Sequence, residues 1–274
     1  MNFQLMGLRM YYEMVGDRDG MPILFLHGLG VDHRTLKATF EPIFSKITPK
    51  FNRIYLNLPG MGKSSVSADC QSSDEILTLI SSLIDFILED NAFLLVGESY
   101  GGYLARGIMY KMPSRILGAI LICPVMIPEI ENRTVPPRTI IEKDTQFLST
   151  LKYDEVKDFS INAVIMTQHE WVKFSRHIRS AFPTVNDAYV KELFHHRYRI
   201  SQNIDDIDPP FTFPSMFLVG RKASTVGYQD AWTIFGNFLY GSFHILDKAG
   251  HNLLLEQQNL VRTLIKDFLE QMNN

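Results

Sequence analysis

Cysteine is scarce in this chain of 274 residues, which holds only Cys70 and Cys123. Two cysteines cannot make a disulfide framework, and the N-terminus shows no charged leader followed by an uninterrupted apolar stretch, so a cytoplasmic protein is expected. Charge of one sign is also missing. The 27 Lys and Arg against 30 Asp and Glu leave a net charge of -3, so there is no cationic excess to hold a phosphate backbone, and nucleic acid is excluded as a partner. Long hydrophobic runs are absent as well. The most apolar one, residues 116–128, is interrupted by Gly118 and Pro124 and falls short of the roughly 20 residues that span a bilayer, so no stable membrane insertion is expected. Hydrophobic residues at 46% and charged residues at 21% place the chain among ordinary globular proteins and exclude disorder as its main state.

Strand-like segments occur at residues 3–15, and short continuous apolar runs follow at Ile23 to Leu26, 53–56, 93–96, 116–122, 216–219 and 243–246. Runs of this length suit strands covered on both faces. Between them lie helical patterns. In 74–90, Ile76, Ile80, Leu83, Ile84 and Ile87 fall on one face behind a cap at Ser72, Ser73 or Asp74, and Leu253, Leu260, Val261, Leu264, Ile265 and Phe268 repeat the pattern near the C-terminus. Strands alternating with helices predict an α/β fold with a mostly parallel central sheet and helices on both faces, because parallel neighbours need crossover connections. From about Pro124 to Pro209 the rhythm stops. That stretch shows no clear strand and carries apolar residues at helical spacing, so residues 1–125 and 208–274 read as the core and 126–207 as a helical cap inserted between two strands.

Chemistry concentrates at Gly97-Glu98-Ser99-Tyr100-Gly101-Gly102, which follows the apolar run 93–96 and precedes the helical segment 103–111. A G-x-S-x-G turn in that setting is a nucleophile elbow: the serine takes a strained conformation, and glycines flank it because side chains there would collide with neighbouring backbone. The helix behind Ser99 aims its amides at any oxyanion formed there. Emerging at the same sheet edge, His27-Gly28-Leu29-Gly30 supplies a second donor, so the backbone N–H groups of Leu29 and Tyr100 are expected to form an oxyanion hole. His27 itself reads as a loop-shaping histidine. His251, between the last apolar run and the C-terminal helix, is the expected general base, since a loop after a strand brings a histidine to the serine.

Together these stretches resemble the α/β-hydrolase superfamily, in its branch of small esterase-like proteins with a helical lid. The resemblance is carried by His27-Gly28-Leu29-Gly30, Asn57-Leu58-Pro59-Gly60-Met61-Gly62-Lys63-Ser64, residues 97–102, Phe217-Leu218-Val219-Gly220-Arg221 and Ala249-Gly250-His251, in the family's order. It implies a serine hydrolase acting on a small carboxylic ester through an acyl-enzyme on Ser99. Non-catalytic ligand binding, or cleavage of a carbon-carbon bond or lactone, remain the alternatives. The family's catalytic acid follows the strand at 217–219, and Ala223 stands at that position. Three accounts of Ala223 are open: an aspartate-to-alanine change made to inactivate the enzyme, an acid supplied by Glu129, Glu131 or Asp230, or a natural protein that uses the pocket without rapid turnover. Of these carboxylates, Asp230 reads as a solvated helix residue and both glutamates as the start of the cap.

Other motifs fail on a single residue. Asn57 replaces the first glycine a phosphate-binding P-loop would need, His33 stands where a dinucleotide fingerprint needs its third glycine, and Lys173 replaces the second histidine of a zinc-binding helix begun by His169-Glu170. His195 and His196 read as cap surface. No metal or organic cofactor is therefore expected, and the partner is a small-molecule ester met by a monomer or homodimer. Met126, Ile127, Phe147 and Trp171 are expected to wall the substrate pocket from the cap side, with Leu148, Val164 and Phe174 as further candidates. The basic stretch 173–199 reads as a solvated helix face, with selection for a carboxylate-bearing substrate as the sharper alternative.

Overall fold

A computed structural model describes residues 1–47 and 50–272. In chain order its strands are β1 (Asn2–Leu5), β2 (Leu8–Gly16), β3 (Met21–Leu26), β4 (Phe51–Leu56), β5 (Phe93–Glu98), β6 (Ile116–Ile122), β7 (Glu142–Lys143), β8 (Ile165–Met166), β9 (Ser215–Gly220) and β10 (Gly241–Leu246). Among the described residues eight of these form one sheet in the order β1-β2-β4-β3-β5-β6-β9-β10. The β1–β2 and β2–β4 pairs are antiparallel, and every later pair is parallel. All six residues of β9, and the last four of β3, are buried, as continuous apolar runs between two helix layers should be.

Helix α1 (Arg34–Phe44) connects β3 to β4, α2 (Ser73–Leu88) connects β4 to β5, and α3 (Tyr100–Lys111) connects β5 to β6. The first of these crossovers steps in one direction along the sheet and the third in the other. Right-handed crossovers therefore put α1 and α3 on opposite faces. The expected start of α2 is sharp. Ser72 Oγ accepts from the Glu75 N–H at 3.3 Å while Glu75 Oε2 accepts from the Ser72 N–H at 2.8 Å, a reciprocal cap.

Between β6 and β9 lie α4 (Thr145–Leu148), α5 (Tyr153–Ser160), α6 (Gln168–His177) and α7 (Asp187–His196). This segment has its own apolar cluster, built on Leu148, Phe159, Ala163, Met166 and Phe174. One expectation here needs correction, since β7 and β8 pair in parallel. Two residues per strand are too few to leave any alternation in the sequence.

After β9 come α8 (Gln229–Thr233), α9 (Leu253–Glu256) and α10 (Gln258–Gln271). The single amphipathic run expected near the C-terminus is thus broken, at Gln257, whose φ of -124° and ψ of 37° leave the helical region. Three consecutive leucines explain the break. Leu253 and Leu254 enter the main core and Leu255 the cluster of the 126–207 segment, an arrangement no single helical stripe permits. The sheet order reverses between β3 and β5, and the crevice at the carboxyl ends of those strands is where an α/β sheet gathers functional side chains.

Candidate active site

Ser99 follows β5 directly and caps α3 with φ 53° and ψ -116°, a left-handed conformation that costs a non-glycine residue about 1–3 kcal/mol. The surrounding glycines are enforced by backbone. A Cβ on Gly97 would lie 2.5 Å from the Gly101 carbonyl oxygen, and one on Gly101 would run into the carbonyl oxygen of Leu26. Close passage of β5, β3 and α3 thus holds the turn that lifts Ser99 above the sheet.

His251 sits in the loop between β10 and α9, and its Nε2 lies 3.0 Å from Ser99 Oγ across 152 residues of chain. On the far side of the ring, Nδ1 is buried without a hydrogen-bond partner. Burial, with the charge of Arg133 second, pushes the imidazole down to about 4. It is therefore neutral at physiological pH, and either nitrogen can carry the single proton. For Nε2 to accept the Ser99 proton, Nδ1 must be the protonated nitrogen, and that leaves a buried N–H with no acceptor, at about 1–3 kcal/mol.

The candidate acids do not relieve this. Ala223 is fully buried and offers only a methyl group. Glu129 gives both oxygens to Arg199, at 2.7 and 2.6 Å, and Glu131 is exposed. Asp230, expected to be solvated, is instead buried, with Oδ2 accepting from the Thr134 N–H at 2.8 Å. Its partner stands 96 residues away, which local helical spacing cannot reveal.

The 27–30 loop abuts the serine, since a Cβ on Gly28 would fall 3.3 Å from Ser99 Cβ. His27 organises this loop. Its Nε2 accepts from the Leu58 N–H at 3.0 Å, so Nδ1 carries the proton and donates to the Gly28 carbonyl at 2.7 Å. Burial pushes it down to about 4 and keeps it neutral. Leu29 therefore follows a glycine packed against Ser99, and Tyr100 is the first residue of α3, where the first-turn amides have no intrahelical acceptor.

Met126 is buried and Ile127 half-buried, and both pack on the main core beside the end of β6. Phe147 and Trp171 go elsewhere, into the apolar cluster of the 126–207 segment with Leu148 and Phe174; the Trp171 ring lies 5.5 Å from that of Phe159. Val164 does reach the loop that carries His251. Its Cγ1 would lie 2.8 Å from a Cβ on Gly250. Much of the basic stretch is neutralised internally: Arg179 by Asp154 and Asp158, Lys173 by Glu170, Arg199 by Glu129.

Two further residues carry no sequence signal. Glu98 is a variable position of the elbow motif, yet its Oε2 is buried without a partner, and burial pushes the carboxyl up to about 7. Tyr198 stacks on Tyr100, and its carbonyl accepts from Ser73 Oγ at 2.6 Å.

A serine on a strained strand-to-helix turn, met by a histidine from the loop after the last parallel strand, defines the class: the chain belongs to the alpha/beta hydrolase family, whose model matches residues 23–263. Pimeloyl-[acyl-carrier protein] methyl ester esterase of Legionella pneumophila (strain Paris) is 24% identical over 253 residues, covering 92% of this chain and 96% of that protein. Monoacylglycerol lipase ABHD6 of Homo sapiens is 22% identical over 279 residues, covering 92% of this chain and 76% of that one. Among solved structures, an alpha/beta superfamily hydrolase from Oenococcus oeni PSU-1 superposes with a TM-score of 0.88 at 27% identity over the full length of both chains. Among the described residues no helix is long and apolar enough to cross a membrane.

Proposed function

We propose that the chain is a cytoplasmic serine esterase for small carboxylic esters, and that alanine at position 223 impairs it. The observation that carries this reading is the 3.0 Å approach of His251 Nε2 to Ser99 Oγ on a strained elbow. The names of the relatives, an esterase and a lipase, agree with it. In this mechanism Ser99 Oγ attacks the ester carbonyl carbon while its proton passes to His251 Nε2. The amides of Leu29 and Tyr100 hold the oxyanion, and His251 then protonates the departing alcohol. Water, deprotonated by the same nitrogen, releases the acid from Ser99. The 126–207 segment acts as the cap, with Met126 and Ile127 nearest the site and Phe147 and Trp171 shaping it from the cap's interior. An aspartate at 223 would fix the proton on Nδ1 and stabilise the imidazolium, a role worth roughly 10⁴-fold in turnover in serine proteases.

The partnerless, buried Nδ1 also favours a second reading, in which the pocket binds a ligand without rapid turnover. Rates of p-nitrophenyl ester hydrolysis by the chain, its Ala223→Asp variant and its Ser99→Ala variant separate the two. Restored activity that depends on Ser99 supports the esterase. Three equally low rates over a panel of acyl lengths would count against simple ester hydrolysis and favour the binding role or a very different substrate.

A further inference from the structure

Glu256 belongs to none of the motifs above, yet its buried carboxylate joins the base loop to the cap. Oε2 accepts from the N–H of Gly250, the residue before His251, at 2.7 Å. Oε1 accepts from the N–H of Val164, beside β8, also at 2.7 Å. A buried carboxylate is costly unless its lone pairs are satisfied, and here both oxygens meet backbone donors. The contacts around it run the same way. Leu255 is buried in the cap cluster, Lys173 of α6 donates to the Leu255 carbonyl at 2.8 Å, and a Cβ on Gly250 would lie 2.8 Å from the Asn162 carbonyl oxygen.

The missing partner of Nδ1 gives this link its weight. With nothing to orient the ring from behind, the approach of His251 to Ser99 depends on the Nε2 contact and on the backbone that carries the imidazole. Glu256 holds the peptide immediately before it. We propose that Glu256 is a positioning residue, a buried carboxylate clamp that sets His251 against Ser99 and ties its placement to the 162–166 segment of the cap. This inference rests on the reading of Ser99 and His251 as the reacting pair. The clamp makes cap position a control on base position: displacing the 162–166 segment draws the Gly250 amide with it.

The test compares the unsubstituted chain with Glu256→Gln and Glu256→Asp. Glutamine keeps the volume but turns an amide N–H₂ toward one of the two backbone N–H groups, whereas aspartate keeps both acceptors on a shorter stem. The readouts are the rate at which a fluorophosphonate modifies Ser99 and the hydrogen exchange of the Gly250 and Val164 amides. Glu256→Gln should slow modification by about tenfold and speed exchange at both amides together by a similar factor, with Glu256→Asp partly restoring both. Unchanged modification with Glu256→Gln, or faster exchange at Val164 alone, would overturn the clamp. If neither the unsubstituted chain nor its Ala223→Asp variant is modified, the esterase reading fails, and the paired exchange still decides the clamp.

Should the variants lose cooperative melting, NMR titration of the unsubstituted chain decides. The Gly250 and Val164 amide protons should shift with the midpoint of the Glu256 carboxyl carbon. That midpoint must be distinct from those of the neighbouring Glu170, Lys173, Cys123 and His251, each followed by its own resonance. Amide midpoints that follow one of those neighbours instead of Glu256 would overturn the proposal.

Discussion

The ring of Tyr198 lies on the ring of Tyr100 with centroids 4.7 Å apart and planes 26° from parallel, so the end of the 126–207 segment rests on the residue that follows Ser99. Ser73 Oγ completes the joint, 2.8 Å from the Tyr100 hydroxyl while donating to the Tyr198 carbonyl. Replacing Tyr198 by alanine removes a buried ring and is expected to cost about 3 kcal/mol of stability, read as a lower urea midpoint with unchanged slope. Tyr198→Phe keeps the stack and should cost under about 1 kcal/mol. Equal losses for the two would show that the hydroxyl, not the ring, matters.

Two glycines near the site should respond to alanine by very different amounts. Gly30 has φ 77° with open space where a Cβ would stand, so Gly30→Ala should cost only about 1 kcal/mol of backbone strain. Gly101→Ala drives a methyl group into the Leu26 carbonyl and should cost over about 4 kcal/mol or prevent folding. Thermal melts of both variants check this, and similar behaviour of the two would refute the packing argument.

Ala223→Asp is expected to raise kcat/KM by about 10³- to 10⁴-fold. It should also move the acid limb of the pH profile. Catalysis needs neutral His251, which burial and the Arg133 charge now hold at about 4. A carboxylate facing Nδ1 favours the imidazolium, so the limb should shift upward in the variant, toward the ordinary histidine value near 6.5. A rate gain with an unmoved limb would mean that the aspartate acts without touching His251.

Glu98 should make stability pH-dependent with a definite sign. Burial pushes its folded carboxyl up to about 7, above the ordinary glutamate value of 4.5. Between those values the folded chain holds more protons than the unfolded one, so Glu98 removes stability as pH rises from 4.5 to 7. Glu98→Gln does not titrate. The variant should gain about 1–3 kcal/mol over the unsubstituted chain at pH 8, and the advantage should shrink toward pH 5. Denaturant titrations at both pH values test it, and a constant offset would indicate a packing effect instead.

Much of this was legible because the governing constraints are local. The strand at 116–122 matches its apolar run residue for residue, and α2 begins where Ser72 and Glu75 can cap each other. Glycines 97 and 101 marked Ser99 because the backbone passes too closely there to admit a side chain. Phe147 and Trp171 were harder to place. Aromatic residues at helical spacing look alike whether they line a pocket or fill a separate core, and only packing sends these two into the separate cluster of the 126–207 segment.

The sequence by itself determined the fold class, the elbow that carries Ser99 and the alanine at position 223, since each depends on residue type and short spacing. Tertiary structure decided that His251 meets Ser99 across 152 residues, that its Nδ1 stays partnerless, that Asp230 is buried and that the Glu98 and Glu256 carboxyls are desolvated. Desolvation and hydrogen-bond satisfaction depend on which distant segments close over a group, and neighbours along the chain carry no record of that.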